Sequence, residues 1–326
     1  MPAHLEPRSP AFNRLISDSE PIERVAGGFW FTEGPLWMGD HLLFSDIPNS
    51  RIVRWQELPE GPEVRTFRSP SKLTNGLTLD RERRLLACEG ATRRLTRTEA
   101  NGEITVLADR YEGKRINAPN DVIVSSRGVI YFSDPFWAAG FANPHGTRVR
   151  PEDRELSFAG VFRIDLDGSL HAEADDFITP NGLALSPDER TLYVDDTRRS
   201  HVRAFDVQPD GSLANSRVLT KIAPGPRGVP DGMKVDREGN IYCTGPGGVW
   251  VIAPNGEILG RILIPVRPDE TRPQVFVDGI GSRIGCPEVA ANVGWGGADW
   301  STLYITATTS VYRIRTTVPG ISVPAG

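Results

Sequence analysis

One strand pattern, written six times, constrains this chain more than any other feature. It reads Leu42-Leu43-Phe44-Ser45-Asp46, Arg84-Leu85-Leu86-Ala87-Cys88 and Val129-Ile130-Tyr131-Phe132-Ser133-Asp134. It returns as Thr191-Leu192-Tyr193-Val194-Asp195, Asn240-Ile241-Tyr242-Cys243-Thr244 and Thr302-Leu303-Tyr304-Ile305-Thr306. A turn and a second alternating strand follow each copy, as in Ser50-Arg51-Ile52-Val53-Arg54-Trp55 and Ser310-Val311-Tyr312-Arg313-Ile314. The apolar residues alternate and do not recur at three and four, so strands and not helices are expected. Copies spaced by about 40 to 60 residues match a four-stranded propeller blade. A sandwich rarely repeats one motif six times, and the period is too long for a β-helix rung. The 33 glycines and 27 prolines are spread along the whole length, which suits many short strands joined by turns. The expectation is an all-β, six-bladed β-propeller. Residues 1–19 form an N-terminal extension, and residues 20–326 form one propeller domain.

A second series runs in step with the first. Ahead of each strong strand, a polar turn opens another alternating strand. The turns carry Glu33, Asn75, Asn120, Asn181, Asp231 and Asn292 at one position. The first strand of a propeller blade lines the channel, so this position sets one side chain per blade around the axis at one height. All six side chains offer oxygen. Calcium takes 6–8 oxygens from mixed carboxylate, amide and water shells. Zinc recruits His or Cys, and the five histidines (His4, His41, His145, His171, His201) all lie elsewhere. A central site for one divalent cation, Ca2+ ahead of Zn2+ or Mn2+, is therefore expected. The competing reading is plain turn chemistry, since Pro-Asn-Gly and Pro-Asp-Gly are strong turn signals. Turns alone give no reason for Glu33 to fall in register with the others.

The bulk properties narrow the partners. Net charge is −5, with 37 basic residues scattered among 42 acidic ones. No basic stripe for nucleic acid and no polybasic patch for a membrane is present. Cys88, Cys243 and Cys286 lie far apart and read as free, inert thiols of a reducing compartment. Residues 1–14 contain no apolar core of a secretory signal, so a cytoplasmic location is expected.

At Glu33-Gly34-Pro35-Leu36-Trp37, Phe44-Ser45-Asp46-Ile47-Pro48 and Asn117-Ala118-Pro119-Asn120-Asp121 the sequence resembles the senescence-marker-protein (regucalcin)/gluconolactonase family. The resemblance continues through Asp134-Pro135, Arg154-Glu155-Leu156, Pro180-Asn181-Gly182-Leu183, Ser186-Pro187-Asp188 and Pro230-Asp231-Gly232, and so covers nearly all of the chain. It implies a six-bladed propeller lactonase with a central divalent metal. Diisopropyl fluorophosphatase and the paraoxonases look like more distant relatives. Carried over, Glu33, Asn181 and Asp231 match the metal ligands, and Asn120 completes the shell or meets substrate. Asp231 would also be the catalytic general base for an attacking water. Two positions depart from the pattern. Ala118 stands where animal members have arginine, and Gly90 stands where many bacterial members have histidine. Both changes leave the metal residues intact and put a sugar lactone in question.

The implied chemistry is metal-dependent opening of a small-molecule lactone or related cyclic ester. Asn120, Asn75, Asp121, Phe136 and Trp137 are the candidate substrate-binding residues. Asp121 either orients Asn120 or caps a turn. The long stretch from Phe136 to Ser157 is a candidate lid, and 265–289 a second wall. Trp30, Trp37, Trp250 and Trp295 read as packing between blades, and Arg93-Arg94 and Arg198-Arg199 as exposed. Phosphotriester hydrolysis on the same metal, or a non-catalytic calcium-binding propeller, are the rival readings.

Overall fold

A strand flanked by sheets on both faces can be apolar at every position, and the repeated pattern is of that kind. In the computed structural model, Leu42–Asp46, Leu85–Glu89, Ile130–Asp134, Ile241–Gly245 and Thr302–Ala307 are buried at every residue. The structure describes residues 4–136, 151–265, 275–276, 283–284 and 288–323. Each buried strand is the second in an antiparallel sheet, and six such sheets form the six blades. The inner strands are Thr32–Trp37, Thr74–Leu79, Val122–Val124, Pro180–Leu185, Met233–Val235 and Ala290–Gly296. They touch in that order, and the last touches the first, which closes the ring. Outermost strands such as Gly61–Arg68 and Leu213–Lys221 are largely exposed, because nothing packs beyond them.

Closure is made by hydrogen bonds between the two ends of the chain. Glu23–Gly27 is the outer strand of the sixth blade, pairing Glu23 with Arg313 and Gly27 with Ser310. Leu5–Pro7 adds a fifth strand to the edge of the fifth blade, opposite Gly260–Ile262. Proline is tolerated there because an edge strand has one unpaired side. The helical turn Phe12–Leu15 then places Phe12, Leu15 and Ile16 against Val251, Ile262, Leu303 and Tyr312. Phe12 is fully buried, and its ring lies against the Cα of Gly260, where a larger residue would collide. Residues ahead of Glu20 thus contribute to the packing of the fifth and sixth blades.

Aromatic residues fill the clefts between blades. Trp37 of the first blade stacks on Tyr304 of the sixth at 5.6 Å, and Trp295 meets Tyr242 edge-on at 5.0 Å. Trp250 is buried beside Met233 and Cys243. Cys88 and Cys243 are buried free thiols whose burial pushes their pKa up, which suits an inert role. No helix among the described residues is long and apolar enough to cross a membrane.

Candidate metal centre

At Glu33, Asn75 and Asn181 the channel-lining position is a bulged strand, not a turn. Ladder register slips between Glu33 and Leu36, between Thr74 and Leu77, and between Pro180 and Leu183. A bulge re-aims a side chain while the strand continues, and here the re-aimed residues are Glu33, Asn75 and Asn181. The glycine that follows serves the neighbouring blade. Gly76 N–H donates to Asn120 O at 2.8 Å, Gly182 N–H to Asp231 O at 2.8 Å, and Gly232 N–H to Ala291 O at 2.7 Å. A Cβ on Gly76 would sit 2.6 Å from Asn120 O, and one on Gly182 would overlap Asp231 O. The Asn-Gly pairs thus join blades shoulder to shoulder around the channel.

Four of the ring residues come together with little access to water. Glu33 is 1% exposed, and its Oε2 accepts from Gly34 N–H at 2.7 Å and from Asn292 Nδ2 at 2.8 Å. Asp231 keeps part of its surface in the channel and faces both Glu33 and Asn181. Asn181 is 1% exposed, and its Nδ2 donates to Thr197 Oγ1 at 3.1 Å. Thr197 gives its only hydroxyl proton to Pro230 O at 2.7 Å. Its oxygen must therefore accept from the amide nitrogen, which fixes the Asn181 amide with Oδ1 turned away. That Oδ1 is buried with no hydrogen-bond partner, and so is Asn75 Oδ1.

Electrostatically, no residue of the ring itself carries positive charge. Burial pushes the Glu33 carboxyl up to about 7, against the opposing hydrogen bonds from Asn292 and Gly34, with Asp121 adding to the rise. Burial also holds Asp231 well above the usual carboxylate range, with the Glu33 charge adding to the effect. Behind them Asp195 is fully buried with both oxygens unpartnered, and its pKa too is raised well above the ordinary value by burial. Buried, facing carboxylates beside amide oxygens that lack donors are a chemical fit for a hard divalent cation. Among the described residues no three His, Cys, Asp or Glu side chains come together to hold a metal, so the donor set here is two carboxylates plus amides.

Asn120 is 3% exposed and is fixed through its backbone, N–H to Ser133 O at 2.9 Å and O from Gly76. Asp121 Oδ1 accepts from Val122 N–H at 2.9 Å, and its Oδ2 pairs with Lys234. Phe136 is half-buried under the Arg154 guanidinium, 4.9 Å from the ring centroid. Trp137 and His145 lie outside the described residues, as do most of the candidate lid and second wall.

A repeated clamp holds three of these positions. Asp46 accepts from Trp30 and Phe31 N–H at 3.0 and 3.4 Å, and Asp134 from Asn117 and Ala118 N–H at 2.7 and 2.8 Å. Asp196 accepts from Ile178 and Thr179 N–H at 2.9 and 3.2 Å. In each case the donors lie three and two residues ahead of Glu33, Asn120 or Asn181. Glu89 of the second blade instead takes Thr92 Oγ1 and Arg94 Nε, both at 2.6 Å, and Gly245 and Ala307 occupy the place in the last two blades. Arg93, expected to be exposed, is 3% exposed. Its φ of +56° turns the side chain under the loop, where Nε donates to Ile116 O at 2.8 Å and Asn117 O at 2.9 Å, and Nη1 to Asp153 O at 2.6 Å. Those carbonyls sit outside any ladder and need a donor. Arg198 and Arg199 are exposed.

The fold has close counterparts. The SMP-30/gluconolactonase/LRE-like region model matches residues 31–274. A gluconolactonase from Zymomonas mobilis is 33% identical over 283 residues, 78% of this chain and 75% of that protein. The solved structure of a gluconolactonase from Xanthomonas campestris superposes with a TM-score of 0.79 at 32% identity, covering 96% of this chain and 94% of the other. Regucalcin from Xenopus laevis is 28% identical over 281 residues, 84% and 82% of the two chains. With a propeller ring, a carboxylate–amide centre on its axis and a family match over most of its length, the chain belongs to the SMP-30/gluconolactonase/LRE-like family.

Proposed function

We propose that this protein is a metal-dependent lactonase whose single divalent cation, calcium, is held by Glu33, Asn120, Asn181 and Asp231. The observation that carries the reading is the pair of facing carboxylates, buried Glu33 and half-buried Asp231, beside the unpartnered Asn181 amide oxygen. Kinship with gluconolactonases at 32–33% identity supports the lactone as the substrate class. A bound divalent cation supplies Lewis acidity toward the lactone carbonyl and toward water. Asp231 has one side open to the channel, so its carboxylate is the group placed to take a proton from an attacking water. Asn120 and Asn75 line the same ring and orient the ester. Ala118, partly exposed with its N–H held by Asp134, brings no basic group to the mouth. Gly90 has little room for a side chain, since its N–H bonds Leu73 O at 3.2 Å and a Cβ would stand equally close to that oxygen. Recognition of the substrate therefore rests on the ring amides more than on cations at these two places.

The test is a panel of sugar and alkyl lactones, with a fluorophosphate as comparison. Each is assayed after chelation and after Ca2+, Zn2+ or Mn2+ is added back. Chelation is expected to abolish lactone hydrolysis and calcium to restore it. Asp231→Asn should keep the metal and lose about 10²–10⁴-fold in turnover. Undiminished hydrolysis by Asp231→Ala would refute the mechanism.

A further inference from the structure

Lys234 lies three residues beyond Asp231, on the inner strand of the fifth blade. Its neighbour Met233 packs into the apolar interior of that blade, whereas Lys234 crosses the channel. Its Nζ lies 3.2 Å from Asp121 Oδ2 on the third blade and donates to Met233 O at 2.9 Å. The Asp121 side chain is 2% exposed and that of Lys234 20%, so this is an interior ion pair. The pair abuts the ring: a Cβ on Gly76, the residue after Asn75, would stand 2.8 Å from Asp121 Oδ1, and Asp121 itself follows Asn120. On the far side Lys234 lines a cavity of about 100 Å³ with Thr78, Trp295 and Val323. The pair therefore partitions the channel between the ring of amides and carboxylates and the opposite end.

Counting charge gives this partition a role. Glu33, Asp121 and Asp231 bring three negative charges to one stretch of channel, while Asp195 behind them is fully buried with no donor at either oxygen, a setting in which a carboxyl stays neutral. A divalent cation offsets two of them. In a site with little water a third, unbalanced carboxylate would draw in another cation. We propose that Lys234 is a built-in counter-cation that neutralises Asp121 and limits the centre to one divalent ion. The proposal rests on the metal reading above. Lys234 touches neither substrate nor metal and acts as a positioning residue through Asp121.

Calcium titration of the metal-free full-length protein by calorimetry tests it. Wild type is expected to bind one ion. Lys234→Met should bind a second ion, or the first at least about tenfold more tightly, because a nearby positive charge has gone. Lys234→Arg should behave as wild type. The double variant Asp121→Asn/Lys234→Met, which removes both charges together, should return to one ion at near wild-type affinity. Unchanged or weaker binding by a folded Lys234→Met overturns the proposal and leaves the metal reading standing. Wild-type protein that binds no divalent cation overturns the metal reading, and the proposal with it. If Lys234→Met does not fold, the comparison passes to Lys234→Arg and the double variant. Equal single-ion binding supports the proposal, and a tenfold gap between them overturns it.

Discussion

Metal-free protein should lose stability as the pH rises from 5 to 8, and calcium should remove the part of that loss that belongs to Glu33 and Asp231. Glu33 is 1% exposed, and its carboxyl titrates near 7 in the fold against an ordinary 4.5. Between those two values the folded chain holds a proton that the unfolded chain has released. Stability is therefore full below 4.5 and falls as the pH climbs through 7. The rise from 4.5 to about 7, at 1.36 kcal/mol for each pH unit, corresponds to about 3 kcal/mol. Asp231 is shifted in the same direction and adds to it. An unfolding entropy of about 2.1 cal/mol/K per residue over 326 residues makes the Glu33 share of the drop in melting temperature roughly 5 °C between pH 5 and pH 8. Scanning calorimetry at four pH values, in chelator and in excess calcium, measures it. A cation between the two carboxylates favours their ionised forms, so the loaded protein should lose less stability over this window than the metal-free protein. Asp134, also raised to about 7 by burial, lies in the clamp and contributes in both states, so the difference between the two series is the informative quantity. Glu33→Gln should take away its share of that difference. Equal slopes with and without calcium, or stability rising with pH in chelator, would refute the reasoning.

Three further outcomes follow from the geometry. Gly182→Ala forces a Cβ into Asp231 O and should cost about 1–3 kcal/mol in urea unfolding while weakening calcium binding, because the displaced backbone carries Asp231. Asp134→Ala strands the N–H groups of buried Asn117 and half-buried Ala118 and should cost about 1–3 kcal/mol, and Asp134→Asn, which retains one accepting oxygen, should cost less. Phe12→Ala should cost about 3–5 kcal/mol by denaturant titration and leave the turnover of the folded fraction unchanged, since this ring packs on the outer edge of the fifth blade.

The propeller was legible because one strand pattern recurs and every copy is buried on both faces for the same reason. The ring was legible because one position per blade keeps register. What escaped depends on contacts between blades. Asn75-Gly76 and Asn181-Gly182 carry the local signature of a turn, yet their glycines are required by carbonyls of the next blade, at Asn120 and Asp231. Lys234 reads as one solvated lysine among many until the fold brings Asp121 to it from 113 residues away. Arg93 reads as a surface residue because nothing near it in sequence shows that the carbonyls of 115–117 will lack partners.

The clamp suggests how such sites separate from their scaffold. All six strong strands look alike in apolar pattern, but the residue ending each one differs: Asp46, Glu89, Asp134, Asp196, Gly245, Ala307. Only Asp46, Asp134 and Asp196 accept the two N–H groups ahead of a ring residue, and those ring residues are Glu33, Asn120 and Asn181. These are three of the four proposed metal residues. The fourth, Asp231, is held instead through its carbonyl by Gly182 N–H, with the carbonyl of the preceding Pro230 bonded by Thr197. Asn75, whose blade ends in Glu89 turned toward Thr92 and Arg94, has no such clamp and remains partly exposed. What the six copies share specifies the propeller. Where they differ, at a carboxylate two residues beyond the last apolar side chain, backbone rigidity is concentrated on three of the four blades that carry the centre.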